Sequence, residues 1–535
     1  MTQNICTIEL LPHGRKITAF RGQLLIDALK GKNIILRSDC GGKGKCGKCR
    51  VQKQADTKGN REDILACTHE VNQDLKIEIP ESALFSTHTI GKAAITLPRE
   101  FTDRFKAKEN HDNDQFGIAT DLGTTTIAVY LCNMTQGKVA ATAIIKNPQA
   151  LYGDDVMSRI GAIGQAPANL NHLQSLVVGA MEQGIKDILK AREFQDVQIS
   201  KMTVVGNPAM IHILAGVDPA PIGVSPYQPA FYSAKTIGSG ELGFTTGEFP
   251  VHTLPQVSGF IGGDILAAGL AVDLAAQPCG TLLIDLGTNG ELMLRGKEKL
   301  FATSCATGPA FEGASLACGM QAVPGAVNRV SISSSTGIPE FDYIKGGKNN
   351  IRRPSGICGS GVISAVAQFC RYSIILPAGG FNPDAESDSL ARNADGRYQY
   401  TIVPESKEGG QGAVFISQKD IRSVQLGKGA LITGIDFLLK KAGIETPKKL
   451  IIAGAFGSHL DPEDMKALGM IPGLESERVE MAGNAAGTGA VMALCDTGYL
   501  EKAQNMSQEI RIVDLANDPE FHADFVQRLG FPPKG

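Results

Sequence analysis

The sequence predicts an α/β protein in two unlike parts: a small β-rich domain carrying clustered cysteines, then a duplicated, two-lobed α/β body. Three observations predict this. Cys40, Cys46, Cys49 and Cys67 are spaced C-x5-C-x2-C-x17-C. An apolar strand running into Asp-Leu-Gly-Thr occurs twice, in FGIATDLGTTTIAVYL (116–131) and TLLIDLGTNGELMLR (281–295). Glycine supplies 62 of 535 residues and Trp is absent, against a usual glycine share of ~7%, which points to many tight turns beside ligands.

Composition bounds the possibilities. With 43% hydrophobic and 20% charged residues, the chain is not a disordered one. Its length allows about three or four domains. A net charge of −3 gives no basic surplus for nucleic acid. The start, MTQNICTIEL, lacks a basic stretch followed by an apolar core. The most apolar glycine-rich run, 259–276, is broken by Asp264 and Asp273, so no membrane span is expected. A cytoplasmic location is expected, and there the twelve cysteines stay reduced and serve metal chemistry or packing.

The first domain is read from its thiols outward. Gly41, Gly42, Gly44 and Gly47 can take positive φ and turn backbone N–H groups inward. Such amides would bond the sulfurs of an anionic cluster. Structural zinc sites usually use two separate C-x2-C knuckles. Here three thiols share one loop and the fourth is distant, which favours a [2Fe–2S] cluster over zinc. CTIELLP and KITAF read as a hairpin around His13-Gly14. GQLLIDALKGKN reads as a short helix with Leu24, Leu25, Ala28 and Leu29 on one face, and LKIEIP as a closing strand. This order resembles the β-grasp of ferredoxins over residues 1–86, and the x5 gap resembles their adrenodoxin branch. Lys43, Lys45, Lys48, Arg50 and Lys53 flank the cluster, either as a docking face for an acidic electron donor or as a solvated loop.

Residues 87–115 are polar and without clear period, and read as a linker, with a short helix as the alternative. From 116 the repeated strand–turn–strand offers N–H groups and Thr hydroxyls to an anion. The Asp at each strand end can hold Mg²⁺ directly or through water. Two facing copies can clamp a polyphosphate. Neither a G-x-x-x-x-G-K-[ST] loop nor a Rossmann fingerprint is present. The pattern resembles the actin, sugar kinase and Hsp70 ATPase superfamily, whose lobes are ribonuclease H-like. GGDILAAGLAVDL (262–274) is similar to its first connecting helix, LIIAGAFGSHL (450–460) to its adenosine motif and NAAGTGAVMALCD (484–496) to its second connecting helix. The expected division is a cluster domain over 1–86, a linker over 87–115, lobe I over 116–275 and lobe II over 276–535.

The resemblance implies roles. Asp121, Gly123, Thr124, Thr125, Asp285, Gly287 and Thr288 would hold phosphates and Mg²⁺, and Gly454 and Gly457 would flank the adenosine. Asp264 reads either as the carboxylate that activates attacking water or as a helix N-cap after Gly262-Gly263. The NPQ at 147–149 and Asp154-Asp155 follow the first hairpin and either face the cleft or form a plain turn, the reading favoured by residue type. GICGSGVIS (356–364) is either a further nucleotide loop or a helix N-terminus, and SCATGPAFEGA (304–314) has no evident role.

A cluster domain joined to such an ATPase resembles the reductive activators of corrinoid-dependent methyltransferase systems. CGGKGKCGKCRV, ATDLGTTT, IDLGTNGE, CATGPAFEGA, GICGSG and GAFGSHL all carry the likeness. Larger members insert a small domain where this chain has only the linker. The family implies ATP-dependent passage of one electron from the cluster to an inactive Co(II) corrinoid, restoring Co(I). It also implies a corrinoid protein and a low-potential electron donor as partners, with a homodimer as a further expectation. A one-electron mismatch of ~120 mV corresponds to about 2.8 kcal/mol. Driving a two-state closure from 1:99 to 99:1 takes ~5.5 kcal/mol, so ATP-driven closure is of sufficient size. Two other classes stay open on the residues: a small-molecule kinase with an accessory cluster, and a non-enzymatic iron–sulfur redox sensor.

Overall fold

The computed structural model describes residues 5–533 other than 12–13, 31–33, 35, 37–41, 43, 45–46, 55–59, 81–82, 84–87, 90–94, 107–113, 314–315, 334–336, 347–352, 407–411 and 455–459.

Alternation builds the first domain. Ile5–Leu11 and Arg15–Phe20 pair antiparallel, with Ile8 opposite Ile17 and Cys6 opposite Ala19, and all four side chains are buried. Leu75–Glu78 joins Ile5–Leu11 in parallel. Arg50–Gln54 pairs antiparallel with Leu75–Glu78 and with Arg61–Leu65, completing a five-stranded mixed sheet. Helix Leu25–Lys30 presses Leu25 and Leu29 into the core beneath it. The hairpin, short helix and closing strand of the β-grasp expectation are thus in place.

The body holds two sheets of one plan. In lobe I the central strand Phe116–Leu122 has the antiparallel strands Thr126–Asn133 and Lys138–Lys146 on one side. On its other side run the parallel strands Ile199–Gly206 and Pro250–Thr253. In lobe II the central strand Thr281–Leu286 is followed antiparallel by Gly290–Arg295 and Leu300–Cys305. Lys449–Ala453 and Val479–Gly483 lie parallel on its other side. Both sheets therefore share the strand order 3-2-1-4-5. Their central strands read as unbroken apolar runs because both faces are covered.

Helices Gly263–Ala271 and Ala485–Cys495 lie between the sheets, in a core that mixes residues of both lobes. They cross backbone to backbone. A Cβ on Gly489 would stand 2.0 Å from the Ala267 carbonyl oxygen, and one on Gly487 would stand 2.7 Å from the Tyr130 hydroxyl.

The 87–115 segment departs from a simple linker. His88–Thr89 adds to the outer edge of the lobe I sheet, and Arg99–Lys106 is a helix. Phe101, 1% exposed, meets Phe105 at 5.0 Å and Tyr499 at 5.9 Å between ring centroids. Arg104 pairs with Asp496 at 3.3 Å. The two phenylalanines, four residues apart on one helical face, anchor a stretch whose charged composition suggests solvent.

Gly489→Ala is expected to lower stability by ~1–3 kcal/mol through overpacking of the helix crossing. Thermal unfolding checks this, and a midpoint equal to that of the parent would refute the tight crossing.

Candidate functional site

Each Asp-Leu-Gly-Thr segment closes as a tight turn. The Gly123 N–H donates to the Thr126 carbonyl (3.0 Å) and the Gly287 N–H to the Asn289 carbonyl (2.9 Å). A Cβ on Gly123 would lie 2.5 Å from the Thr126 carbonyl oxygen, so the turn requires glycine. The turns face each other: the Oγ1 atoms of Thr125 and Thr288 are 3.1 Å apart. The fold thus brings Asp121, Gly123, Thr124 and Thr125 to the same place as Asp285, Gly287 and Thr288.

Both turns are braced from behind through their carbonyls. Asn147 donates its side-chain amide to the Gly123 carbonyl (2.9 Å) and its backbone N–H to the Thr125 carbonyl (2.8 Å). The fully buried Arg159 donates to the Thr124 carbonyl (2.6 Å), and Asn207 donates to Thr124 Oγ1 (2.9 Å). Arg159 is held in turn by the Gly153 carbonyl and by Gln149 Oε1, each at 3.1 Å. In lobe II, Thr307 Oγ1 donates to the Thr288 carbonyl (3.3 Å). A trans peptide points its C=O and N–H in opposite directions. Fixing the carbonyls backward therefore turns the N–H groups of Thr124, Thr125 and Asn289 away from the braces, toward the cleft. The 147–149 segment is consequently not a plain turn: Asn147 and Gln149 are fully buried members of the brace. The segment 304–314 supplies Thr307, which gives it a role the sequence did not reveal. Gly356–Ile357 is a short strand, and Gly361 sits where a Cβ would be 2.3 Å from the Val327 carbonyl oxygen. GICGSG is therefore a close helix-packing segment.

Three half-buried carboxylates share the cleft floor. Asp121 and Asp285 end the two central strands, and Asp264 lies in the first turn of helix Gly263–Ala271. Asn484 donates to Asp121 Oδ2 (2.8 Å) and accepts the Gly487 N–H (2.8 Å), capping helix Ala485–Cys495. Burial pushes the Asp121 carboxyl up to about 6. Burial, then the charges of Asp264 and Asp121, push Asp285 up to about 8. Asp264 is raised too, by burial first and then by Asp121. The helix N-cap is Gly262, and Asp264 Oδ1 accepts the N–H of Ile265 (2.9 Å). Of its two expected roles, the fold does not use Asp264 as the N-cap.

Gly454, at φ 106°, follows strand Lys449–Ala453, and a Cβ there would lie 2.3 Å from the Leu286 carbonyl oxygen. It packs directly behind the second turn. Gly206 holds the matching place in lobe I, where a Cβ would lie 2.7 Å from the Leu122 carbonyl oxygen. Sequence reasoning missed Gly206 and Asn207, although the VVGNP run occupies the same sheet position as IIAGA. It also missed Arg159 and the role of Asn484, and it left Asn147 between a cleft residue and a plain turn. Gly457 lies outside the described residues.

In the first domain Cys40 and Cys46 lie outside the described residues, while Cys49 and Cys67 are 1% and 3% exposed. The hairpin of Arg50–Gln54 and Arg61–Leu65 places both at one end. Arg50 pairs with Leu65, and the Ala66 N–H donates to the Cys49 carbonyl (3.0 Å). Gly42, Gly44 and Gly47 adopt φ of 83°, 69° and 70°. A Cβ on Gly44 would lie 2.8 Å from Thr68 Cγ2, so the glycine loop closes over the neighbour of Cys67. Two buried thiols under a left-handed glycine loop fit an iron–sulfur cluster. The basic residues around it divide. Arg50 pairs with Asp63 at 3.2 Å on the surface. Lys48 turns to lobe II and donates to the carbonyls of Leu316 (3.3 Å) and Gly319 (3.4 Å).

Two outcomes follow from this geometry. Arg159→Gln is expected to weaken polyphosphate binding between the turns ~10–100-fold, the loss of a charge-assisted hydrogen bond of ~1.5–3 kcal/mol, as calorimetry would show. Asp285 titrates near 3.8 unfolded and about 8 folded. The folded state therefore keeps a proton that the unfolded state loses, and stability falls as pH rises between those values. Nucleotide-free Asp285→Asn should melt above the parent at pH 8, with the difference vanishing toward pH 4; a gap independent of pH would refute the crowding of charge.

Comparison with known proteins places this geometry. Residues 8–72 match the 2Fe-2S iron-sulfur cluster binding domain, residues 116–277 the RACo middle region and residues 280–535 the C-terminal domain of RACo, the ASKHA domain. The corrinoid activation enzyme RamQ of Eubacterium limosum is 25% identical over 96% of this chain and 97% of that protein. A [Co(II) methylated amine-specific corrinoid protein] reductase of Methanosarcina barkeri is 23% identical over 73% of this chain and 71% of that one. A solved reductive activator for corrinoid, iron-sulfur protein superposes with a TM-score of 0.73 at 26% identity, covering 99% of both chains. With a ferredoxin-type domain ahead of a duplicated actin-like body along its whole length, the chain belongs to the RACo family of reductive activators of corrinoid proteins.

Proposed function

We propose that the chain is an ATP-dependent reductive activator that returns the inactive Co(II) corrinoid of a methyltransferase system to Co(I). The observation that carries this reading is the union, on one chain, of a glycine-looped thiol site and two braced, facing anion turns. Its partners are a corrinoid protein and a low-potential electron donor. Among the described residues no helix is long and apolar enough to cross a membrane, which is consistent with work in the cytoplasm.

Cys40, Cys46, Cys49 and Cys67 hold the cluster. When bound, a [2Fe–2S] cluster supplies a carrier for single electrons at low potential. The remaining chemistry belongs to the cleft. The N–H groups of Thr124, Thr125 and Asn289, with the hydroxyls of Thr125 and Thr288, bind the phosphates of ATP from both lobes. Gly454 and Gly457 flank the adenosine. Among the described residues no three His, Cys, Asp or Glu side chains converge to enclose a metal ion by themselves. Mg²⁺ commonly uses one or two carboxylates plus substrate phosphates, so Asp121 and Asp285 are the residues that would hold it, and it would neutralise phosphate charge. A cation there would offset the burial that raises both carboxyls and the added charge repulsion on Asp285. Asp264, raised toward neutrality, is suited to take a proton from the attacking water. Closure on ATP draws the lobes together about the crossed connecting helices.

Anaerobically purified protein is expected to carry iron and a [2Fe–2S] absorption spectrum, both lost in Cys67→Ser. With a Co(II) corrinoid protein and reductant, Co(I) should accumulate with ATP and not without it. Asp264→Asn should bind ATP yet hydrolyse it at least ~10²-fold more slowly, the usual contribution of a general base. Zinc in place of iron, or equal reduction without ATP, would overturn the proposal.

A further inference from the structure

We propose that Lys48 is a positioning residue for the activation reaction: it seats the cluster loop on the carbonyls of residues 316 and 319, which helix Gln418–Ala442 ties to the brace of the second phosphate turn. The state of the cleft is thereby felt beside a cluster thiol. This inference rests on the function proposed above and goes beyond it by naming the contact that joins the two parts.

Lys48 immediately precedes Cys49 in the sequence. Its side chain is half-buried, and its ammonium donates to two carbonyls of lobe II, those of Leu316 and Gly319. The nearby Arg50, with its side chain 57% exposed, stays on the surface with Asp63. Of the basic residues that flank the cluster, Lys48 is thus one that the fold turns inward onto the ATPase body.

Its acceptors belong to a stiff knot. A Cβ on Gly319 would lie 2.0 Å from the Gly313 carbonyl oxygen, and Leu316 is 2% exposed in the lobe II core. Gly319 also bridges to Ile357. The Ala317 N–H donates to Asp420 Oδ1 (3.0 Å), and Asp420 forms the capping box of the long helix Gln418–Ala442. That helix also presses on the phosphate brace, for a Cβ on its Gly427 would lie 2.6 Å from the Thr307 carbonyl oxygen. Thr307 holds the Thr288 carbonyl. A continuous set of hydrogen bonds and backbone contacts therefore runs from Thr288 through Thr307, helix Gln418–Ala442 and the 316–319 carbonyls to Lys48.

The cluster domain also lies within electrostatic reach of the other lobe. Burial, and next the Asp27 carboxylate of the cluster-domain helix, push the Tyr152 hydroxyl up. Tyr152 ends the turn Pro148–Tyr152, which carries Gln149 and follows Asn147, both members of the brace of the first phosphate turn. Coupling of this kind needs a physical element that both sites bias, and the Lys48 seat is one.

Hydrogen–deuterium exchange on the full-length, cluster-loaded protein, with and without a non-hydrolysable ATP analogue, tests the seat directly. In the parent, the analogue should change exchange of the amides of residues 47–50 and 316–320 together. In Lys48→Ala both segments should exchange about tenfold faster without nucleotide, reflecting easier local opening, and the analogue should then alter only 316–320. Lys48→Arg keeps a donor for two carbonyls and should restore the joint response. Iron content, spectrum and ATP hydrolysis should be unchanged in Lys48→Ala, while stimulation of Co(II) reduction by ATP falls below about twofold, the signature of lost coupling. A Lys48→Ala protein whose 47–50 amides still follow the nucleotide, or whose stimulation equals that of the parent, would overturn the inference. A parent that reduces no corrinoid would overturn the functional reading instead, since the exchange experiment uses no corrinoid.

Discussion

The two connecting helices cross where Gly489 lies directly against the carbonyl of Ala267. A larger residue would wedge the lobes apart at this point. The separation of the lobes sets the separation of the two turns, and the 3.1 Å contact between Thr125 and Thr288 exists only at that spacing. A clamp on a polyphosphate needs donors on both sides of one anion. The clamp geometry therefore depends on a packing contact made by two residues that bear no chemistry.

Within each lobe the same logic repeats with glycine against carbonyl. Gly206 and Gly454 admit the end of the neighbouring central strand so closely that no Cβ would fit. The turns that follow are not free loops. Their carbonyls are taken up by Asn147, Arg159 and Thr307, and the opposed N–H groups are left to a ligand. Pre-orientation of this kind is worth most in a partly dehydrated cleft, where reorganising donors during the reaction would cost more.

The floor of the cleft trades stability for function. Burial raises the proton affinity of Asp121, Asp264 and Asp285. The charge of Asp121 adds to this at Asp264 and Asp285, and that of Asp264 at Asp285, while the bond from Asn484 eases Asp121. Carboxylates crowded this closely oppose folding at neutral pH. They make chemical sense where a cation and a nucleotide join them, and such strained sites are characteristic of active centres.

Much of this was legible from residues alone. The doubled Asp-Leu-Gly-Thr turn and the small-residue helices are short-range patterns, and they fall where the folded chain uses them. Of the spaced thiols, Cys49 and Cys67 come together at one end of the cluster-domain hairpin. Asp264 and the 87–115 segment were legible only in part. A carboxylate two residues inside a helix looks like a cap until its neighbours are known, and two phenylalanines in a charged stretch look solvated until Tyr499 is placed against them. The braces were not legible at all. Arg159 meets a carbonyl 35 residues away, Asn484 meets Asp121 across 363 residues, and Lys48 meets lobe II across 268. Most of these partners are backbone carbonyls, which every residue possesses. Residue type thus marks a donor in the sequence but never its carbonyl acceptor, and only the tertiary fold decides which oxygen each donor reaches.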